Sequence, residues 1–351
     1  LWLLPVAFIG CYLAALLGLV WAWGGMALAW VTAWPLRYIL AVAKVLSKLP
    51  GAVLFTGNRM VVWWLVLVYV MFGAAWLISR RRKARYWIPA ACSVLALCAV
   101  LTVNAVQLQR TSTVTALDVS QGQSIVFSSG RACAVVDCGG RSTVEDPGDL
   151  AARKLLAQGH RNLDLLVLTH PHDDHVNGVL RLMHWLPVRT LVIPAAADTT
   201  QAPLSDILAL AVENHTTVVR VDAERTVTAG SISVHLYPEP CAGQEDGSMI
   251  VLTSIGDYDT LVPGDVDSVA EVKFLSDCAY PSVELLLVGH HGSKKSTSDA
   301  WLDAIAPNDA IISVGYNNYG HPTSDTLERL QAHHIPIYRT DQMGDITVHL
   351  S

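Results

Sequence analysis

The sequence LTHPHDDHVNG, residues 168–178, places three histidines and two aspartates within six consecutive positions. It closes the apolar run LDLLVL, which predicts a buried strand that ends where the polar residues begin. Alternate residues of an extended segment point to the same side, so His170 and His172 can bind one ion together. Asp174 and His175 lie in the following turn and can face a second ion. Imidazole and carboxylate ligands suit zinc, and carboxylate-rich sets suit manganese. The stretch therefore predicts a metal-binding centre.

Two later stretches place the same residue types after predicted strands. LVPGD ends at Asp265, whose carboxylate could bridge two ions, although Pro-Gly-Asp is also ordinary turn chemistry. LLLVGHHGS carries His290 and His291 after another apolar run. Adjacent histidines point in different directions, so one of the pair is expected to bind metal. Gly292 and Ser293 would let the backbone and a hydroxyl group approach an anion.

The composition divides the chain into two parts. Residues 1–109 contain nine basic residues and no Asp, Glu or His. Residues 110–351 contain 30 acidic and 15 basic residues, a net charge of −15, together with all 13 histidines. Such a charge excludes a broad nucleic-acid-binding surface, so DNA would have to be bound locally. We expect a membrane-embedded segment followed by a water-soluble domain, with the boundary between residues 109 and 110.

Three uncharged stretches, at 1–36, 61–79 and 86–109, are long enough to span a bilayer, which needs about 20 apolar residues. The first fits one tilted helix, or a helix plus a second segment after Gly24-Gly25. Residues 36–52 are amphipathic, and such a helix could lie along the membrane surface.

The basic run Arg80-Arg-Arg-Lys-Ala-Arg85 predicts the cytoplasmic side of the membrane. The next span then places residues 110–351 on the extracytoplasmic face. The chain begins with Leu, and we interpret it as part of a larger multi-pass protein of the cell (inner) membrane.

Four of the seven cysteines lie in the second part of the chain. In an extracytoplasmic domain, one or two disulfides among them are possible. Four cysteines allow three pairings, and the sequence does not choose among them. These residues are Cys133, Cys138, Cys241 and Cys278.

Short strand patterns alternate with helical patterns twice over after residue 110, which favours two sheets with helices outside them. The motifs follow the order D-V-x-Q-G-Q, V-D-x-G-G, T-H-x-H-x-D-H-x-x-G, P-G-D and H-H-G-S-K-x-S. This order resembles the metallo-β-lactamase superfamily and, more narrowly, the C-terminal domain of the ComEC family of DNA-uptake channels. The resemblance implies an α/β fold, an αββα sandwich with two divalent metal ions, Zn or Mn, at one edge.

The resemblance also implies a role for each motif residue. His170 and His172 would bind the first metal, Asp174, His175 and His290 the second, and Asp265 would bridge them. Asp174 and His291 would be catalytic, while Ser293, Lys294 and His321 would contact the substrate.

Two positions depart from the family pattern. Many superfamily hydrolases have another histidine before the strand that leads to the bridging Asp, whereas residues 239–248 here contain none. Glu245 or Asp246 could take its place. ComEC-like domains usually show Gly-Gln-Gly-Asp where this chain has Ser120-Gln-Gly-Gln123.

The function implied by the resemblance is metal-dependent hydrolysis of phosphodiester bonds in the DNA strand that is not imported during natural transformation. The implied partners are single-stranded DNA, membrane lipid, and the DNA-receptor and import proteins of a competence machinery. Two alternatives remain open. The domain could hydrolyse another extracytoplasmic phosphodiester, or it could be a catalytically decayed channel subunit.

Overall fold

The computed structural model describes residues 3–46, 59–79, 86–142, 145–238 and 248–350. The chain forms two compact units, Leu1–Phe55 and Thr56–Ser351. The boundary predicted between residues 109 and 110 lies within the second unit, and it stays a prediction.

The first unit contains helices α1 (Leu3–Val20) and α2 (Ala22–Leu46). A Cβ atom added to Gly25 would lie 2.5 Å from the Cα atom of Gly18, so the helices pack closely at this point. Of the two alternatives for residues 1–36, the structure shows a helix followed by a second helix, which begins at Ala22 rather than after Gly24-Gly25. A larger side chain at Gly25 would prevent this packing, whereas a Cβ atom at Gly24 would meet the side chain of Trp21.

Helix α2 continues through Pro35 to Leu46. Residues 36–46 thus form the end of α2 rather than a helix of their own, and their position along the membrane surface stays a prediction. The chain from 47 to 52 lies outside the described residues.

The second unit begins with helices α3 (Arg59–Ser79) and α4 (Trp87–Leu108). Trp64 Nε1 donates a hydrogen bond to the carbonyl oxygen of Ser93 at 2.7 Å, which joins the two helices. Both predicted helices are present. Among the described residues, Ala22–Leu46, Met60–Ile78 and Trp87–Leu108 are long and apolar enough to cross a membrane. The basic run at 80–85 lies outside the described residues.

The remainder of this unit folds as two similar halves. The first half contains β1 (Ser112–Ala116), β2 (Ile125–Ser129), β3 (Ala132–Val136), α5 (Pro147–Ala157), β4 (Leu163–Val167), α6 (Asp173–Val176), α7 (Val179–Trp185), β5 (Val188–Pro194), α8 (Leu204–Glu213) and β6 (Thr217–Val221). The second half contains β7 (Arg225–Ala229), β8 (Ile232–Pro238), β9 (Met249–Ile255), β10 (Tyr258–Val262), α9 (Ser268–Asp277), β11 (Leu285–Leu287), α10 (Asp299–Ile305), β12 (Asp309–Ile312), α11 (Ser324–Ala332), β13 (Ile337–Arg339), α12 (Thr340–Met343) and β14 (Ile346–Leu350).

The strands form two seven-stranded sheets. Their orders are β14-β1-β2-β3-β4-β5-β6 and β13-β12-β11-β10-β9-β8-β7. Strands β3 to β6 are parallel, and so are β10 to β13. The carboxyl ends of these parallel strands carry the polar motifs.

Side chains alternate between two cores along each central strand. In β4, Leu165 and Val167 belong to the core between the sheets, whereas Leu166 packs toward the helices outside. In β9, Val251 faces the core between the sheets, and Ile250 faces the outer helices. Strands with both faces covered need apolar residues on both sides, which explains their nearly continuous apolar sequences. The predicted αββα layering is confirmed.

The described cysteines of this domain are not bonded to one another. Cys133, Cys138 and Cys278 carry free thiols, and burial raises the pKa of Cys133 to about 12. Any pairing that involves Cys241 lies outside the described residues.

Candidate metal centre

The loop after β4 begins the centre. It passes through Thr169 and His170, both buried, and reaches His172, whose extended backbone caps the short helix α6. Asp174 and His175 therefore lie in the first turn of that helix. The tight passage from strand to helix brings the polar residues to the carboxyl end of the sheet.

The V-D-x-G-G motif packs beneath this helix. A Cβ atom added to Gly139 would lie 2.5 Å from the backbone of His175, and one added to Gly140 would lie 2.4 Å from the carbonyl oxygen of Val119. Cys138 N donates a hydrogen bond to the carbonyl oxygen of His175 at 2.8 Å. A side chain at Gly139 would therefore displace the short helix that carries His175, and one at Gly140 would displace Val119.

Five side chains form what we call the metal-ligand cluster. Ligand atoms of His170, His175 and Asp265 all lie within 4.8 Å of one another, as do those of Asp174, His175 and His291. Asp265 Oδ1 lies 3.2 Å from His175 Nε2, and Asp265 Oδ2 lies 3.6 Å from His170 Nε2. His291 Nε2 lies 3.6 Å from Asp174 Oδ2 and 3.9 Å from Asp265 Oδ1. Asp265 thus lies between the two groups, as expected of a bridging residue.

The cluster leaves several buried polar atoms without partners. Within the described residues, the Nε2 atoms of His170, His175 and His291 and Oδ1 of Asp265 have no hydrogen-bond partner. The 3.2 Å approach of His175 to Asp265 lacks the alignment of a hydrogen bond. An unsatisfied buried polar atom costs about 1–3 kcal/mol. Divalent cations would satisfy these atoms together, so the residues fit the metals that the fold implies.

Asp137 fixes the orientation of His175. Its Oδ1 accepts a hydrogen bond from Thr169 N at 2.7 Å. Its Oδ2 accepts from Thr169 Oγ1 at 2.7 Å, from Gln123 Nε2 at 2.8 Å and from His175 Nδ1 at 2.8 Å. Because Nδ1 of His175 carries the proton of this bond, the lone pair of a neutral ring lies on Nε2, which faces Asp265. This carboxylate–histidine arrangement is typical of metal ligands.

The same reasoning assigns the protons of the other two buried rings. The Thr169 hydroxyl donates to Asp137, so it accepts from His170 Nδ1 at 3.1 Å. His291 Nδ1 lies 2.9 Å from the carbonyl oxygen of Ser313, which can only accept. In their neutral forms, which are the forms that bind a metal, all three buried rings therefore direct an Nε2 lone pair into the cluster.

The carboxylates of the cluster favour a positive charge next to them. Burial opposes ionisation of Asp265, but the charges of His175, His170 and His291 outweigh it and hold the pKa of this carboxyl well below its usual range. Burial likewise opposes the charged form of His175, yet Asp265 and Asp137 raise its pKa well above the usual range. Without a metal, the protonated ring supplies the positive charge that the carboxylates require. A divalent cation would replace that proton.

The two histidines of the H-H-G-S motif take different positions. Both have left-handed backbones, with φ of 51° at His290 and 53° at His291, a conformation that costs non-glycine residues about 1–2 kcal/mol each. The turn directs the His291 ring to Asp174. The same turn places His290 Nε2 3.6 Å from Asp265 Oδ2. His291, not His290, thus stands in the second group, in contrast to the expectation from the sequence.

A cleft of about 460 Å³ opens over the cluster. His172 and His290 line it, together with Asp174 and His321. His172 is exposed, and its ring lies edge-on to that of His170 with centroids 4.7 Å apart. The His321 ring lies 5.7 Å from that of His290. Burial and the neighbouring histidines lower the pKa of His321, so its ring is neutral at pH 7.

Ser293 and Lys294 do not line this cleft. Ser293 is 5% exposed, its hydroxyl accepts a hydrogen bond from Lys295 N, and its carbonyl oxygen accepts one from Thr326. Lys294 is exposed beside it. The turn after His291 carries both residues away from the cluster, so the geometry does not support the predicted substrate contacts.

Sequence reasoning missed four residues of the site. Asp137 was present in the V-D-x-G-G motif, and its place at a strand end was a usable signal. In the sequence, Gln123 stands out only as a departure from the family pattern, although its side chain donates a hydrogen bond to Asp137. Arg141 and Tyr319 line the cleft, and no sequence pattern indicates them.

Residues 117–316 match the family profile described as the metallo-beta-lactamase superfamily. This range contains every residue of the metal-ligand cluster. The chain belongs to the metallo-β-lactamase superfamily. Its fold is one that binds divalent metal ions.

Curated relatives confirm the narrower resemblance of this superfamily member to the ComEC family. ComE operon protein 3 of Bacillus subtilis (strain 168) is 29% identical over 249 residues, which cover 66% of this chain and 32% of that protein. Competence protein ComA of Neisseria gonorrhoeae is 30% identical over 243 residues, which cover 66% of this chain and 31% of that protein. The chain thus spans about a third of the length of these relatives.

Solved structures include similar metallo-β-lactamase folds. The metallo-beta-lactamase fold protein YhfI from Bacillus subtilis aligns with a TM-score of 0.47 at 13% identity, and it covers 68% of this chain and 100% of its own.

Proposed function

We propose that residues 110–351 form a metal-dependent phosphodiesterase that cleaves single-stranded DNA during DNA uptake. The observation that carries the proposal is the metal-ligand cluster, whose buried nitrogen and oxygen atoms converge without other partners. The competence proteins among the relatives supply the substrate class. Membrane helices before the domain would place it beside a channel.

Each residue of the cluster has a defined task in this proposal. His170, His172 and Asp265 would hold one ion, while Asp174, His175 and His291 would hold the other, with Asp265 shared. His290 extends from the first group toward the cleft. Two such ions supply a hydroxide at neutral pH and stabilise charge on the attacking and leaving oxygens.

The protein side chains then orient and stabilise the phosphodiester. His290 and His321 line the cleft and present imidazole groups to a bound phosphate. His291 stands with Asp174 and His175, so we assign it to metal binding. His321 lines the cleft, and its lowered pKa favours the neutral ring, which can form a hydrogen bond to the phosphate, so we assign it to substrate binding.

The proposed position is the extracytoplasmic face of the cell (inner) membrane, where the strand that is not imported would be degraded. DNA-receptor and import proteins of a competence machinery would be its partners. Protease added to intact spheroplasts should remove the domain of residues 110–351 while the membrane helices stay protected. Protection of this domain would contradict the orientation.

The activity test uses the whole chain in detergent. The protein is stripped with a chelator and reloaded with Mn²⁺ or Zn²⁺, and cleavage of a labelled single-stranded oligonucleotide is followed. We expect metal-dependent cleavage that Asp174→Asn abolishes. Asp206→Asn is the matched control, because Asp206 is also an acid in the first turn of a helix but is exposed and distant in sequence from every motif.

Two results would replace this proposal. Hydrolysis of small phosphodiesters with no cleavage of DNA would favour another extracytoplasmic phosphodiester as the substrate. Fewer than about one metal ion per chain by elemental analysis would favour a decayed channel subunit, since the mechanism needs two.

A further inference from the structure

One wall of the cleft carries an aromatic ring that the proposed chemistry does not use. Tyr319 lines the cleft with 59% of its surface exposed. Arg141, on the same wall, donates a hydrogen bond from Nη1 to the Tyr319 hydroxyl at 3.2 Å. Arg141 comes directly after the V-D-x-G-G motif, and its backbone N–H donates to the carbonyl oxygen of Gln121 at 2.9 Å. The ring is thus exposed to solvent but oriented by a neighbouring guanidinium group.

The side chain of Asn317 holds the loop that carries Tyr319. Asn317 Oδ1 accepts hydrogen bonds from the backbone N–H groups of Tyr319 and His321, both at 3.0 Å. Asn317 Nδ2 donates to the carbonyl oxygens of Gly315 and His321, both at 2.8 Å. All four hydrogen-bonding positions of the amide are used. The ring therefore stands on a preformed loop, which reduces the entropy lost when a ligand binds.

A row of rings connects Tyr319 to the metal-ligand cluster. The centroids of Tyr319 and His321 lie 5.9 Å apart, and those of His321 and His290 lie 5.7 Å apart. His290 in turn faces Asp265. A phosphate bound at the cluster would leave the neighbouring nucleoside on the same wall as Tyr319.

The charge of the cleft adds a second argument. Its lining includes the carboxylates of Asp173, Asp174 and Asp265, and Arg141 is the one arginine or lysine among the described lining residues. A polyanion that enters the cleft would therefore find positive charge only at the bound metals and at Arg141 among these lining residues. Arginine suits this role because its guanidinium group forms directed bonds to phosphate.

We propose that Arg141 and Tyr319 form a nucleotide subsite, in which an unpaired base stacks on the Tyr319 ring while Arg141 contacts the adjacent phosphate. The inference rests on the proposed function and deepens it, because it selects a strand with exposed bases as the substrate. Every base has a π-face, so such a platform accepts single strands of any sequence. In a duplex the bases are already stacked on one another, and they cannot occupy the platform.

The test measures binding and cleavage separately with the metal-loaded full chain. Binding of a labelled phosphorothioate strand, which resists hydrolysis, is followed by fluorescence anisotropy. An abasic strand of equal length and charge and the matching duplex are the comparison ligands. We expect the wild-type chain to bind the strand with bases about tenfold more tightly than the abasic strand, as one or two stacked bases would provide.

Three variants separate the ring from the charge. Tyr319→Ala should bring the Kd ratio between abasic and normal strands close to one, whereas Tyr319→Phe keeps the ring and should keep most of the ratio. Arg141→Met should weaken the binding of both strands and lower the salt dependence of binding by about one phosphate contact. Tyr316→Ala is the control, because Tyr316 is 89% exposed and lines a different cleft.

The outcomes distinguish the subsite from the hydrolysis. Base discrimination that depends on Tyr319, without cleavage of the normal strand, would support the subsite and contradict the proposed nuclease. Cleavage together with equal binding of both strands by wild type and Tyr319→Ala would overturn the subsite and leave the nuclease standing. Tighter binding of the duplex than of the single strand would also overturn the subsite.

Discussion

The histidines of the centre fall into two sets with different surroundings. His170, His175 and His291 are almost completely buried, and each is held through Nδ1 by a hydroxyl, a carboxylate or a backbone carbonyl group. His172 and His290 lie at the cleft and are more exposed. We call these the buried set and the exposed pair. The buried set is oriented before a metal binds, whereas the exposed pair is open to what enters the cleft.

The strongest test of this comparison is His175→Ala. His175 belongs to both groups of the cluster, so its loss should release both metals and lower cleavage by about 10³-fold or more. Elemental analysis and oligonucleotide cleavage check the two effects. His184→Ala, at an exposed position of α7, is the control. Retention of two ions by His175→Ala would show that the buried set is not the metal site.

The next test separates the two adjacent histidines. His291→Ala should remove the second metal and lower kcat by about 10²-fold, because His291 stands with Asp174 and His175. His290→Ala should keep both metals and mainly raise KM, since His290 lies at the cleft. Metal content together with the separate kinetic constants distinguishes the two variants. The reverse pattern would restore the assignment expected from the sequence.

A smaller effect is expected at Asp137, which contacts the ligand His175 but is not assigned as a ligand itself. Asp137→Asn replaces the acceptor that orients His175, and it should lower metal affinity by about 10- to 100-fold. Competition with a chelating dye measures this change. Asp164→Asn is the matched control, because Asp164 is a partly buried carboxylate that, like Asp137, accepts a backbone hydrogen bond, in this case from Cys133. Equal affinities in the two variants would argue against the orienting role.

The smallest effect is expected at Gln123. Gln123→Leu removes one of four bonds to Asp137 and should lower the free energy of unfolding by about 1.5–3 kcal/mol, the range for a hydrogen bond to a charged group. Metal affinity should change less than in Asp137→Asn, because Thr169 and His175 still hold the carboxylate. Denaturant unfolding of the chelated and metal-loaded chains measures both quantities. A larger loss of affinity than in Asp137→Asn would place Gln123 closer to the metals than its contacts indicate.

Much of the site follows from the sequence because strand ends are easy to recognise. The apolar runs of β4, β10 and β11 stop at His170, Asp265 and the His290–His291 pair, and parallel strands bring their carboxyl ends to one edge. Which of two adjacent histidines enters the cluster could not be predicted. That choice depends on two consecutive left-handed residues, a conformation that the sequence His-His does not favour.

Other differences have equally local causes. The sequence of β7, RTVTA, is polar and does not by itself predict a strand, although the Gly230-Ser231 turn that joins it to β8 is a hairpin signal. Strand β7 is the edge strand of its sheet, and most of its residues are not buried, so they need not be apolar. The glycines of α2 suggested a break because the close approach of α1 is not visible in a single helix sequence. Arg141 and Tyr319 meet across loops far apart in the chain.

The carboxylate of Asp137 joins Gln123 to Thr169 and His175, which belong to a second segment of the domain. Substitutions at these positions cannot be independent, because each alters the acceptor that the others share. Double-mutant cycles among them should show coupling energies of about 0.5–3 kcal/mol. Such epistasis restricts the routes by which the domain can change. A new residue at position 123 changes the hydrogen bonding of Asp137, and its effect therefore depends on which residues stand at positions 169 and 175.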